Sequence, residues 1–162
     1  MAELTNLESK IGEVIGLAQA AQGATDKISG LLEDAELKQA LGRMKQEAVE
    51  TEERTTQVAE SLDGKKTAIL EKARETKQEA TEMMSTYLGD DADGLDGLEF
   101  LTMAEAGEVG HWQILGTMNQ KAGNPELQQV VDWATPIQER HFEQTLKGSL
   151  RLAAEEDPNE PA

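Results

Sequence analysis

The chain has 162 residues, enough for one domain with a sizeable core. Its 15 Lys and Arg against 32 Asp and Glu leave a formal charge of −17, which repels nucleic-acid phosphates and anionic lipid headgroups. Cysteine is absent, so disulfides, thiolate zinc sites, iron–sulfur clusters and cysteine nucleophiles are excluded by inventory.

The opening residues, MAELTNLESK, lack both the basic region and the apolar run of a secretion signal. No window approaches the roughly 18 apolar residues of a membrane span. The expectation is a cytoplasmic protein with no membrane segment and no nucleic-acid partner. Prolines stand only at 125, 136, 158 and 161, and strand-like alternation is missing, so helical periodicity runs almost from end to end.

A first helix is predicted over 3–32, with Leu7, Ile11, Val14, Ala18, Ala21, Thr25, Ile28 and Leu32 on one stripe. After the break at Glu33-Asp34, a second runs over 35–62 with Leu37, Leu41, Met44, Ala48, Thr51, Val58 and Leu62 inward, stopping at Asp63-Gly64. A third, 65–88, carries the thinner stripe Ile69, Ala73, Thr76, Ala80, Met83 and Tyr87 and reads as a connecting helix on the outside. The acidic segment 89–94 is a loop, and Asp93 or Asp96 caps the helix after it.

The fourth helix, 96–121, ends at Gly123-Asn124-Pro125, and the fifth runs from Pro125 to about Ala154 with a kink or local break expected near 132–136, ahead of Pro136. One domain over 1–155 and a disordered acidic tail over 156–162 complete the reading. Two helical hairpins joined by a long connection give an all-α, ferritin-like four-helix bundle with an additional connecting helix.

Chemistry is sought where polar side chains interrupt the apolar stripes. On the fourth helix the stripe Leu101, Ala104, Glu108, His111, Leu115, Met118 contains an acid and an imidazole three residues apart. A buried carboxylate is costly unless paired, protonated or metal-bound, and inward Glu-x-x-His is the spacing of di-metal bundles. The fifth helix offers Gln138 and His141 on the stripe Val131, Ala134, Gln138, His141, Thr145, flanked by Glu139 and Glu143. On the second helix Glu47 and Glu50 share a face with Met44. The first helix has no acid on its stripe, and Glu8 and Glu13 lie beside it. For the two histidines, a hydrogen-bonded polar layer within the core is the competing account.

The stretch 35–62, AELKQALGRMKQEAVETEERTTQVAESL, followed by Gly64-Lys65-Lys66 and later by GHWQILGTMNQKAG, resembles the YciE/YciF group of bacterial ferritin-like proteins. Glu50-Thr51-Glu52 matches that family's Glu-Thr-Glu run and His111-Trp112 its His-aromatic pair. Arg54 and Glu47 stand where the family has histidines, and Gly110 and Gln113 replace flanking acids. The family's first-helix glutamate falls on Ala18, and Gln138 takes the place of a last-helix acid. The resemblance implies a cytoplasmic, stress-associated homodimer with an interior metal site. Here that site lacks two acids, which disfavours di-iron oxidase or ferroxidase chemistry. The candidate ligands are Glu47, Glu50, Glu108, His111, Glu139 and His141, for iron, manganese or zinc. A metal-free structural or interaction bundle using the same residues as a polar layer is the alternative.

Other signals yield less. The EF-hand template fails on the acidic loop, which would place Gly89 at its first position and Phe100 at its twelfth. Gly12, Gly16, Gly23 and Gly30 line one face of the first helix and predict close approach to a second subunit. No Ser-His-Asp arrangement and no phosphate loop can be assembled. Tyr87, Phe100, Trp112, Trp133 and Phe142 read as core anchors.

Overall fold

The computed structural model describes residues 2–161, and Met1 and Ala162, the last residue of the expected tail, lie outside them. Five helices make up the described chain: α1 (Asn6–Ser29), α2 (Ala35–Ser61), α3 (Lys66–Tyr87), α4 (Gly94–Ala122) and α5 (Pro125–Ala153). No strand occurs among the described residues, and no helix is long and apolar enough to cross a membrane.

Local chemistry sets most helix ends. Thr5 and Glu8 form a capping box that starts α1 later than periodicity alone suggests, while Asp34 caps α2 through the backbone N–H groups of Glu36 and Leu37. Asp93 and Asp96, either of which was expected to cap α4, do so together as a reciprocal box. At the α4–α5 corner Gly123 adopts the left-handed conformation at φ 68°, and Asn124 caps a helix whose first residue is Pro125. The Asn119 amide ties that corner by donating to the Asn124 carbonyl at 2.9 Å.

α5 runs as one helix across Pro136, without the local break that was one of the two outcomes expected near 132–136. The proline ring faces solvent, and so does Asp132, whose carbonyl loses its intrahelical donor, so water can satisfy what the proline removes. Residues 155–161 leave the helix in turns and stay exposed.

α1, α2, α5 and α4 form a ring of packed neighbours, and α3 lies against α1 and, less closely, α2. Contacts fix the directions. Gly94 and Gly97 sit on Leu31, Leu32 and Ile28, so α4 runs antiparallel to α1. Arg151 pairs with Asp34 and Glu36 while Arg54 stacks on Trp133, so α5 runs antiparallel to α2. Gly12 meets Ile69 and Lys72, and Gly16 meets Ala73 and Thr76, so α3 is parallel to α1 and carries the chain back to the end where α2 began.

Gly12 and Gly16 are thereby reassigned from a subunit interface to an intramolecular seam. A side chain at Gly16 would collide with the Ala73 carbonyl oxygen, and one at Gly12 would come within 2.8 Å of Lys72 Cβ. Gly23 has nothing near it, and Gly30 caps α1. α3 also departs from its predicted stripe toward its C-terminus, where Met84 is buried and Met83 and Tyr87 are exposed. Of the remaining aromatics, Phe100 and Trp112 are buried and Trp133 and Phe142 half-buried.

The seam makes a paired prediction. Gly16→Ala lowers stability by about 1–3 kcal/mol through overpacking against α3, whereas Gly23→Ala raises it by up to ~1 kcal/mol through helix propensity alone. Chemical denaturation of both variants measures this, and light scattering is expected to show an unchanged particle mass.

Candidate metal centre

The core divides into two apolar clusters. One gathers Ile11, Val14, Ile15, Val58, Ile69, Trp112, Leu115, Leu127 and Val131. The other gathers Ile28, Leu37, Leu41, Met44, Leu98, Phe100 and Leu101. Between them along the helices lies a polar layer: Thr51 and Thr55 from α2, Glu105 and Glu108 from α4, and Gln138, His141 and Thr145 from α5, all buried. The threonines satisfy themselves by donating one turn back along their own helices, Thr51 to the Glu47 carbonyl and Thr55 to the Thr51 carbonyl.

The other members have no such local solution. His141 is 2 % exposed, with Nδ1 at 3.6 Å from Glu105 Oε2 and Nε2 at 3.4 Å from Glu47 Oε1. The imidazole therefore spans from α4 to α2. Glu47 is half-buried at the rim, and its second oxygen is paired with Arg140. Glu105 Oε2, Glu108 Oε2 and Gln138 Oε1 are buried without a hydrogen-bond partner. Burial pushes the Glu108 carboxyl well above the usual carboxylate range, and the neighbouring Glu105 adds to the shift.

Of the residues anticipated from sequence, Glu47, Glu108 and His141 belong to this layer. Glu50 does not: it is exposed and holds Arg54 at 2.7 Å on the outer surface. Glu139 is also exposed, on the outside of α5. His111 is displaced from the predicted stripe, being 36 % exposed at the α1–α4 edge with Nε2 at 3.5 Å from Glu13 Oε2.

The cause is the rotation of α4. Its inward row runs through Leu98, Leu101, Glu105, Glu108, Trp112, Leu115 and Asn119, so Glu105 and Trp112 take the inward places assigned to Ala104 and His111. Glu105 is thus the acid that sequence reasoning missed, and Trp112 was the available signal. Burying that ring turns Glu105 inward with it, one position in each row of three and four.

Ala18 is completely buried, so α1 brings no acid to the layer, and α5 brings the amide of Gln138. Among the described residues no three His, Asp or Glu side chains gather in an arrangement that could hold a metal ion. The imidazole instead divides the carboxylates, with Glu47 on one side and Glu105 on the other. No family model matches the chain, and no curated protein or solved structure is significantly similar to it.

The raised Glu108 has a pH signature. Because its folded carboxyl holds its proton more tightly than the unfolded one, its contribution to stability is full below the ordinary carboxylate range and is lost as pH rises through the raised one. In chelator-treated protein, Glu108→Gln escapes this loss. Its stability relative to the parent is expected to climb by about 1–3 kcal/mol between pH ~4 and pH ~8, read from denaturation midpoints across that range.

Proposed function

We propose that the chain is a ferritin-like bundle, with α1, α2, α4 and α5 as its four core helices and α3 as the long crossover, and that its polar layer binds one divalent cation, iron, manganese or zinc. The observation behind this reading is the set of partnerless buried oxygens, Glu105 Oε2, Glu108 Oε2 and Gln138 Oε1, beside the buried His141. Buried polar atoms without partners are rare, and an unplaced ion is one physical reason for them. One imidazole with carboxylate and amide oxygens also suits such ions.

Holding the cation would require Glu105, Glu108 and His141 to close on it from these positions, with Gln138 beside them and Glu47 at the rim. Such an ion would supply Lewis acidity at a water-poor centre. Around it, Arg140 holds Glu47 outward and Thr145 donates to the His141 carbonyl at 3.1 Å. A two-metal centre does not suit these residues, because the positions for further acids are Ala18 and Gln138. The resemblance to the YciE/YciF group extends the proposal to a stress-associated homodimer.

A second reading rests on the division of the carboxylates by His141 and the absence of a preformed three-ligand group among the described residues. In it, the layer takes a proton on Glu108 in place of a cation, and the protein is a structural or interaction bundle.

Elemental analysis of protein purified without chelator separates the two. The cation reading expects about one equivalent of iron, manganese or zinc per chain, lost in His141→Ala and Glu105→Gln and kept in His111→Ala and Glu50→Gln. A metal-free parent protein overturns it and leaves the proton-holding layer.

A further inference from the structure

Between α1, α3 and α4 lies an apolar cavity of about 210 Å³, lined by Ala21 and Ala24 from α1, Met84 from α3, and Leu101 and Ala104 from α4. Both α3 and α4 pack on α1 without packing extensively on each other, so the small side chains of α1 leave a gap between them. Farther along α4 the lining changes character, because Glu108 and His111 join it.

Glu108 is 4 % exposed, and its Oε2 has no partner. His111 Nδ1 lies 2.8 Å from the Gly107 carbonyl oxygen. A carbonyl can only accept, so Nδ1 carries a proton. The polar end therefore offers the buried Glu108 carboxyl beside the His111 ring, and is complementary to a group that is both a donor and a cation.

Size narrows the ligand. A cavity of roughly 150 Å³ takes up benzene, so 210 Å³ accommodates a ring with a short arm. We propose that this cavity binds a small apolar primary amine, its ring or chain against Ala21, Ala24, Met84 and Leu101 and its ammonium group at Glu108. The inference does not rest on the cation reading, since the pocket and its acceptors are present without a metal.

The test is calorimetric titration of the chelator-treated full chain with 2-phenylethylamine and with propylbenzene, its neutral counterpart. Saturable binding of the amine, at least ~10-fold tighter than the hydrocarbon, is expected. Glu108→Gln is expected to abolish the preference while retaining hydrocarbon binding. Ala104→Leu, which fills the cavity from a half-buried position, is expected to abolish both with an unchanged circular dichroism spectrum. No saturable amine binding by the parent protein, equal affinity for the two probes, or unaltered binding by folded Ala104→Leu overturns the proposal. Metal content is measured on the same preparation before chelation, so failure of the cation reading and failure of this one are separate results.

Discussion

Two carboxyl groups and an imidazole buried between apolar clusters form the constraint around which the interior is arranged. Desolvating an ionised carboxylate costs several kcal/mol unless a partner or proton compensates. Glu105 has the His141 ring at 3.6 Å, and Glu108 has Glu105 itself as a neighbour. Burial therefore favours the protonated form of Glu108. Thr51, Thr55 and Thr145 absorb their own hydroxyls along their helices, leaving Glu105, Glu108 and Gln138 as the members of the layer with unpartnered oxygens.

The crossover is the second constraint. Because α2 ends at the far end of the molecule from where α4 begins, the chain must travel its length, and α3 does so as a helix pressed into α1. Gly12 and Gly16 permit that approach by removing the side chains that would meet Lys72 and Ala73. The close seam at this half leaves α3 free of α4 at the other, and the cavity lined by Ala21, Ala24, Met84 and Leu101 is the consequence. The glycines and the pocket are thus two ends of one packing decision.

The acidic surface contributes little to this interior. Its ion pairs, such as Lys45 with Asp26 and Lys66 with Glu60, are largely exposed and of the kind that adds little to stability. The net charge of −17 shapes what approaches the molecule, favouring cations over phosphates.

What the sequence determined by itself was local. Helix number, most of the boundaries, the Asp93 cap, the stop at Gly123, the start at Pro125 and the inward face of α5 arise from hydrogen bonds and contacts within a few residues, which spacing and side-chain type disclose. The tertiary structure alone decided which of two overlapping stripes on α4 faces inward. Both stripes contain Leu101, Glu108 and Leu115, and α4 carries apolar residues such as Met103 and Ile114 on its outside, so periodicity could not separate them. Packing did so by burying Trp112, bringing Glu105 beside His141 and sending His111 to the edge. Likewise, the glycines of the first helix suggest close approach but not the partner or which of them meet it, because the surface that Gly12 and Gly16 pack on, α3, lies more than fifty residues away in the chain and meets α1 only after folding.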